Sequence, residues 1–352
     1  MAFTEIDKPS DYFNTVLYTG NGSTQSISGV NFTPDWVWIK NRVNTTDHLL
    51  FDVVRNAPNF IKSNSTSAEV TGLTSVLTSF DTDGFTVGND GGINSNGDTY
   101  ASWNWLASNT TASNTDGSIT STVSANTTSG FSIVSWTGDG TSTATIGHSL
   151  GVIPSMIILK NRTDVTNWVV KHKSLSSGYN LFLNDSSAQY NTTGQGHLAD
   201  LSSSSTFGFV AGSSGNNQSN GSGDNMIAYC FAEKKGFSKA FSYTGNGSSD
   251  SPFIYFGFKP AFVMLKRTDS TGDWQIQDSK RPEYNPLPYY LEANNSNAEV
   301  DWTSSFPLDF VSNGMKIRNS GTQMNASGGS YIGIAFAENP IVGSNGVPSC
   351  AR

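Results

Sequence analysis

The chain has 352 residues, a length that suggests two or three domains, and its 28 acidic and 20 basic residues give a net charge of −8. So few cations make it a poor candidate for binding nucleic acid, which requires clustered lysine and arginine to neutralise phosphates. Ser (51), Thr (35) and Asn (34) make up about a third of the chain. Yet 12% of the residues are aromatic, and disordered chains are poor in aromatics, so we expect a folded protein with many turns.

The strongest pattern in the sequence is internal repetition, because five landmarks recur three times in the same order. They are an aromatic residue with a Gly-containing turn (18–23, 136–141, 243–248), a Pro-to-Lys apolar run (34–40, 154–160, 260–266), a polar loop (64–69, 184–189, 294–299), a run that begins with Gly (84–87, 208–210, 314–317) and a closing apolar run (103–107, 229–233, 334–338). We therefore predict three homologous domains of about 100 residues, a normal domain size.

The landmarks predict the following organisation of the chain. An N-terminal arm (1–11) precedes β-domain 1 (12–108), a Ser/Thr/Asn-rich linker (109–128), β-domain 2 (129–235), β-domain 3 (236–339) and a C-terminal tail (340–352). The segment 109–128 is assigned as a linker because it consists almost entirely of Ser, Thr, Asn, Gly and Ala.

The secondary structure predicted from these repeats is strand throughout. Gly-Asn-Gly or Gly-Asp-Gly after an aromatic residue is typical of hairpin turns, and the proline that opens the next run suits the first residue of a strand. Runs such as 36–39 are apolar on both faces and predict central strands, whereas no helix of ten residues is indicated. The fold class expected is all-β, with three tandem homologous β-sandwich domains of jelly-roll or lectin-like type.

Cysteine content and terminal sequence exclude several classes of protein. Two cysteines, Cys230 and Cys350, are too few for a disulfide framework or a cysteine-based zinc site. No apolar run approaches the roughly 18 residues of a membrane span. The first seven residues lack the basic and apolar regions of a secretory signal, so we do not expect export by the general route.

The candidate catalytic residues are few. The four histidines are expected to be surface loop residues, and no nucleophile elbow or His-x-x-x-His pair accompanies them. A glycosidase would need two carboxylates, for which Glu69 and Glu299 with Asp52 and Asp278 are candidates. Because Gln189 replaces this glutamate in the second repeat, we favour a structural interpretation and predict no catalytic residue and no cofactor.

Metal and ligand sites are predicted only as loop candidates. Asp81 and Asp83 form a weak Ca²⁺ candidate, although hairpin turns are the favoured interpretation and no metal site is predicted. Asn-rich loops at equivalent positions vary between repeats, as recognition loops on a rigid scaffold do. The candidate ligand-binding residues are Asn89, Asp90, Asn94, Asn96, Asn216, Asn217, Asn220, Asn319 and Asn325.

Most of the eight tryptophans are expected in the core, because five of them align with other apolar residues in another repeat. This pattern is typical of packing and not of a shared sugar-binding platform. The predicted structural core residues are Trp36, Trp38, Trp103, Trp105, Phe231, Phe262 and Phe336.

Segments 18–23, 32–42, 79–88 and 97–105 resemble a repeat domain of virion structural proteins from marine bacteriophages, especially cyanophages. The first domain fits best, and the second and third retain the turn, the Pro-to-Lys run and the closing strand. Family members often carry Cys between the closing aromatics, as Cys230 does, whereas Asn104 and Ala335 depart. The resemblance implies a phage structural protein of the tail-fibre-like type and supplies no catalytic residues.

We weigh three functions for the chain, and a lectin of cellular origin is the remaining alternative. The first is a non-enzymatic tail-fibre or receptor-binding component that contacts host-surface glycan, and the second is a head-associated capsid fibre or decoration protein. The third, a host-polysaccharide depolymerase, is the least favoured. The expected location is the virion surface after assembly in the host cytoplasm. Expected partners are other tail or capsid proteins and further copies of the chain, for example in a trimer, with host glycan as a candidate ligand.

Overall fold

The computed structural model describes residues 4–211, 217–282, 284–302 and 308–342 of the chain. It is nearly all β, which confirms the predicted fold class at that level. Apart from a 3₁₀ turn at Pro9–Asp11, the described helices are three single turns, α1 (Gly91–Asn94), α2 (Asn217–Asn220) and α3 (Thr322–Asn325). Among the described residues, no helix has the length and apolar character needed to cross a membrane.

The first repeat forms one five-stranded and one three-stranded sheet, both antiparallel. Its strands are β1 (Phe13–Thr19), β2 (Gln25–Ser28), β3 (Trp36–Asn41), β4 (Leu49–Asp52), β5 (Ile61–Lys62), β6 (Leu77–Asp81), β7 (Gly84–Val87) and β8 (Thr99–Trp105). The large sheet has the order β1-β8-β3-β4-β5, and the small sheet has the order β2-β7-β6. Strand β3 is central and fully buried, as its apolar sequence predicts.

The second repeat has the same core arrangement with an extension at one edge. Its strands are β9 (Ala112–Asn114), β10 (Ser121–Asn126), β11 (Phe131–Thr137), β12 (Thr145–Gly147), β13 (Met156–Asn161), β14 (Val169–His172), β15 (Tyr179–Phe182), β16 (Tyr190–Asn191), β17 (Thr206–Gly208) and β18 (Asn225–Phe231). The large sheet has the order β16-β15-β14-β13-β18-β11-β10-β9, and β12 pairs with β17.

The third repeat again combines a large and a small sheet. Its strands are β19 (Ser238–Thr244), β20 (Phe253–Tyr255), β21 (Phe258–Arg267), β22 (Gln275–Asp278), β23 (Tyr289–Glu292), β24 (Val300–Asp301), β25 (Leu308–Val311), β26 (Gly314–Ile317) and β27 (Ser330–Pro340). Their orders are β19-β27-β21-β22-β23-β24 and β20-β26-β25.

Strand register shows that the three large sheets are equivalent residue by residue. Trp36 faces Trp105 between β3 and β8, Met156 faces Phe231 between β13 and β18, and Phe262 faces Phe336 between β21 and β27. The Pro-to-Lys run and the closing run are thus neighbouring central strands in every repeat.

The segment 109–128 is not a free linker, and this prediction was wrong. It contributes β9 and β10, and β10 pairs with residues 131–135 of β11. Composition is a poor guide here because main-chain groups make the ladder, so Ser, Thr and Asn side chains are tolerated in strands near the edge of a sheet.

One large core is shared by all three repeats. The predicted core aromatics lie in it, each at most 4% exposed. Ring contacts join the repeats pairwise, with centroid distances of 6.0 Å for Trp36–Phe231, 5.9 Å for Phe231–Phe336 and 5.6 Å for Trp105–Phe336. Each repeat also has its own smaller apolar cluster involving both its sheets. One face of each large sheet therefore packs against the other repeats and the opposite face within its own repeat.

The N-terminal arm is packed onto this body over its described part. Ile6 is 3% exposed and belongs to the shared core, while the Glu5 N–H donates to the Lys235 carbonyl at 3.1 Å. The arm thus contacts the joint between the second and third repeats.

Candidate functional site

The contact between the first and second repeats is a buried cluster of charges. Arg162, which follows β13, donates to the Glu69 carboxylate of the first repeat at 2.7 Å. Arg55 donates to Glu69 at 3.1 Å and to Asp52 at 2.6 Å, and the Tyr229 hydroxyl donates to Asp52 at 2.7 Å. The neighbouring acids outweigh burial and raise the pKa of Arg55, so its charge is maintained.

The contact between the third and first repeats is built in the same way. Arg42 donates to the Glu299 carboxylate at 2.7 Å, and Arg281 donates to Glu299 at 3.1 Å and to Asp278 at 2.6 Å. Here Trp103 Nε1 takes the place of the tyrosine hydroxyl and donates to Asp278 at 3.1 Å. The glycosidase candidates Glu69, Glu299, Asp52 and Asp278 are therefore all held by arginines between repeats.

Among the described residues, the contact between the second and third repeats lacks this charge cluster. His172 and Gln189 occupy the positions of the aspartate and glutamate, and Leu175 occupies that of the arginine. Nε2 of His172 lies 3.2 Å from the Gly333 carbonyl, and the Gln189 N–H donates to the Thr268 carbonyl at 2.8 Å. The three contacts consequently close a cycle, in which two joints contain a buried arginine–carboxylate cluster and the third does not.

A ring nitrogen from each repeat strengthens the same cycle. Trp168 Nε1 donates to the Lys62 carbonyl at 2.8 Å, and Trp274 Nε1 donates to the Phe182 carbonyl at 2.9 Å. At the equivalent position of the first repeat, His48 Nε2 lies 3.0 Å from the Glu292 carbonyl. These bonds join equivalent atoms of successive repeats, which explains why an aromatic or imidazole ring recurs at this position.

The repeated lysines also reach across the joints. Lys160 Nζ donates to the Thr66 carbonyl at 3.2 Å, and Lys266 Nζ donates to the Ser186 and Ser187 carbonyls at 2.9 Å. Burial lowers the pKa of Lys40, Lys160 and Lys266 to about 8. The polar loops and the lysines were both recognised as landmarks. At these joints, the lysine of one repeat contacts the polar loop of another.

The expectation that the histidines lie on surface loops was wrong, since all four are buried. Nδ1 of His48 accepts from Trp38 Nε1 at 2.8 Å, and Nδ1 of His172 accepts from the Ser174 N–H at 3.1 Å. These acceptors require the neutral imidazole, and burial lowers the pKa of His172 and His197 to about 4. Sequence reasoning missed this because Nε2 of His48 and of His172 contacts a main-chain carbonyl of another repeat, which composition does not indicate.

Three of the candidate ligand residues hold turns inside the fold. Asn94, Asn220 and Asn325 are fully buried. Asn94 Oδ1 accepts from the Asn21 N–H at 2.9 Å, and its amide donates to the Gly88 carbonyl at 2.6 Å. The adjacent Gly20 is required because a Cβ there would lie 2.2 Å from the Ser95 carbonyl oxygen. These asparagines are therefore unsuited to bind an external ligand through their side chains.

The other loop candidates are distributed differently. Asn89 and Asn96 are exposed, Asp90 caps α1 by accepting from the Gly92 N–H at 2.8 Å, and Asn319 is 5% exposed. Asn217 begins α2, and Asn216 lies outside the described residues. In the first repeat, the candidate loop surface thus reduces to the exposed side chains around α1.

The weak calcium candidates hold a hairpin. Asp83 accepts from the Gly29 N–H at 3.1 Å and the Asn31 N–H at 2.6 Å. Asp81 accepts from the hydroxyls of Ser79 and Thr86 at 2.8 and 2.7 Å. Within the described part of the chain, no group of three His, Cys, Asp or Glu residues is placed to hold a metal ion.

The fold and these joints define an all-β protein whose three repeats share one core. A family model matches residues 8–340, so the chain belongs to the family described as "Domain of unknown function (DUF7483)". The match extends over all three repeats. Searches of curated proteins and of solved structures gave no match.

Proposed function

We propose that the protein is a non-enzymatic structural component of a bacteriophage virion, a tail-fibre or receptor-binding protein that contacts host-surface glycan. The observation that carries this proposal is the closed body of three repeats, each of which places a polar loop between equivalent strands. The loops lie between β7 and β8, β17 and β18, and β26 and β27. Repeated loops on a rigid scaffold favour multivalent, individually weak recognition.

The carboxylates support a structural role over a depolymerase. A glycosidase needs one acid and one nucleophile or base that both reach the sugar. Glu69 and Glu299 instead have side chains only 9% and 10% exposed, and each is bonded to two arginines. The ion pairs that these glutamates form between repeats explain their presence without a catalytic role.

The same body also supports the alternative of a head-associated capsid fibre or decoration protein. The third repeat presents an open sheet edge with several lysines, which favours attachment to another protein of the particle. We further propose that each repeat is a sandwich of the jelly-roll or lectin-like type, because apolar clusters join its large and small sheets.

Immunogold electron microscopy of the source virions, with antibody against the purified chain, tests the proposal. Gold at the tail is the expected result, gold over the head would favour the decoration protein, and unlabelled particles would contradict a virion role. A glycan array then tests recognition with the purified protein. Asn89→Ala with Asn96→Ala should lower binding, whereas Thr82→Ala, an exposed change in a different turn, should leave it unchanged. Equal binding by both variants would exclude the loop of the first repeat.

A further inference from the structure

In the second repeat, the segment 109–128 covers two sheet edges. Its strand β10 pairs with β11 at the edge of the large sheet. Just before β10, Ile119 forms a parallel bridge with Ile146 of β12, and the Ile119 N–H donates to the Thr145 carbonyl at 3.2 Å. One extended segment therefore pairs with β11 over residues 131–135 and bridges to β12 at Ile146.

The equivalent edges of the third repeat are open within the described residues. Among the described strands, β19 has β27 as its one neighbour and β20 has β26. On the outer side of β19, a main-chain bridge to Lys234 occupies Ser238, the first residue of the strand. The Ala240 N–H points away from β27 and donates to the Glu233 carboxylate at 3.0 Å. The Glu233 carboxylate thus accepts the hydrogen bond that a main-chain carbonyl would accept if another strand continued the sheet.

This open edge carries aromatic side chains that the other repeats lack. Phe253 and Tyr255 are 45% and 55% exposed. By strand register, their equivalents are Ser26 and Ser28 in the first repeat and Thr145 and Gly147 in the second. Two adjoining depressions of about 350 and 320 Å³ flank Tyr255 and share Lys239. Exposed aromatic residues beside unpaired strands are typical of a docking surface.

The charge of the same edge is opposite to that of the chain. Lys173, Lys234, Lys235 and Lys239 line the two depressions, whereas the net charge of the protein is −8. Two glutamates lie among them, since Glu233 pairs with Lys173 and Glu5 lies 3.8 Å from Lys234. Lys239, which lines both depressions, and the excess of lysine over glutamate in their lining favour an acidic ligand at this edge.

We propose that the edge formed by β19 and β20 is a docking site for an extended, acidic segment of a partner protein. The segment adds to β19 as a strand, as β10 adds to β11 in the second repeat, and its carboxylates meet the lysines. Main-chain bonds supply the pairing, while Phe253 and Tyr255 supply apolar contact. This site does not depend on glycan recognition, since it requires only a partner with an acidic strand; the decoration-protein alternative would use the same edge.

Peptides derived from the edge segment of the second repeat provide the test. The template is residues 115–126, in which Ser118, Thr120 and Thr122 are exposed. Three fluorescent peptides differ at these three positions: one carries the native residues, one carries glutamate and one carries lysine. Their binding to the full chain is measured by fluorescence polarisation at low salt. The glutamate peptide should bind at least about tenfold more tightly than the lysine peptide, and high salt should reduce the difference.

Two variants and a matched control locate the site. The first variant, Phe253→Ser with Tyr255→Ser, installs the residues of the first repeat, and the second is Lys239→Glu. Each should weaken binding of the glutamate peptide about fivefold or more. Ser26→Ala with Ser28→Ala at the first-repeat edge should have no effect. Hydrogen exchange should show that the peptide protects the amides of Ser242 and Thr244, which distinguishes strand addition from side-chain contact.

Several results would overturn the proposal. They are equal binding of the glutamate and lysine peptides, no binding at about 1 mM peptide, or binding without protection of β19 amides. Binding that requires removal of residues 343–352 would assign the edge to the chain's own tail. If light scattering shows self-association of the protein, and Phe253→Ser with Tyr255→Ser abolishes it, the edge would be assigned to a second copy of the chain.

Discussion

The Tyr229 hydroxyl of the second repeat donates to the Asp52 carboxylate of the first at 2.7 Å, although 177 positions separate the two residues. At the equivalent joint between the third and first repeats, Trp103 Nε1 donates to Asp278. At the remaining joint the donor position is Ile334, which has no polar hydrogen, and the acceptor position is His172. The residues at each joint therefore change as a set, because a buried carboxylate needs both a donor and an arginine.

Removal of one charge from a buried joint should be costly. Glu69→Gln leaves Arg162 and Arg55 without their shared carboxylate, so we expect a loss of about 2–4 kcal/mol in the free energy of unfolding. Urea denaturation followed by tryptophan fluorescence measures it. As a control, Glu233→Gln removes a more exposed partner of Lys173 and should cost less than about 1 kcal/mol. Equal costs for the two variants would contradict the importance of the buried cluster.

Replacement of the whole set should be tolerated better than its parts. Asp52→His, Arg55→Leu and Glu69→Gln, combined with Tyr229→Ile, install the neutral residues of the joint between the second and third repeats. We expect the combined variant to be more stable than the sum of the single changes predicts, by about 2 kcal/mol or more, because these residues share partners. Strict additivity in the same urea measurement would count against their interpretation as a set.

The shared core predicts one cooperative unfolding event. Trp36, Trp105, Phe231 and Phe336 bury their rings against other repeats, so a repeat released from the body would expose them. Scanning calorimetry of the full chain should show a single transition, with equal calorimetric and van't Hoff enthalpies. The fragment 1–108, expressed alone, should bind a hydrophobic dye and lack a sharp transition. Three separate transitions, or a fragment that unfolds sharply, would show instead that the repeats fold independently.

Buried histidine predicts a loss of stability in mild acid. The pKa of His172 is about 4 in the folded protein against an ordinary value of 6.5, because burial disfavours the charged ring. The unfolded chain thus binds the proton more strongly. The contribution of His172 to stability is complete above pH 6.5 and is lost as the pH falls from 6.5 to 4.

The variant His172→Asn tests this dependence, since an amide keeps a donor and an acceptor but does not titrate. Between pH 7 and pH 4.5 the variant should lose about 2–3 kcal/mol less stability than the wild type. Asn96→Ala, an exposed change, should reproduce the wild-type dependence. Identical pH dependence of His172→Asn and the wild type would show that the ring is not held neutral in the folded state.

The fold class could be predicted from the sequence because its signals are local. Apolar runs such as β13 and the Gly-containing turns at Gly140 and Gly247 specify strands and hairpins within a few residues. The joints could not be predicted with the same ease, because Arg162 and Glu69 meet only after three sheets have packed. A signal was nevertheless present, since Glu69, Gln189 and Glu299 change together with Arg55, Leu175 and Arg281. Edge pairing of 109–128 left no such signal, because backbone groups make it.

The buried asparagines of the loops provide the last prediction. Asn94 Oδ1 accepts from the Asn21 N–H at 2.9 Å. Its amide donates to the Ser23 carbonyl at 2.5 Å and to the Gly88 carbonyl at 2.6 Å. Asn94→Ala leaves these three main-chain groups without their partner, so we expect a loss of about 2–4 kcal/mol in the free energy of unfolding. The matched control in the same loop is Asn96→Ala, which is exposed and should cost less than about 0.5 kcal/mol.

The two variants also separate stability from recognition. Asn94→Ala should lower the midpoint of urea denaturation and affect glycan binding only through unfolding, whereas Asn96→Ala should change binding without changing the midpoint. Equal midpoints for the two variants would mean that the amide of Asn94 does not hold the turn. Since Asn220 and Asn325 occupy the equivalent buried positions, their alanine variants should behave as Asn94→Ala does. A repeat in which the change costs nothing would be one whose turn is held by other contacts.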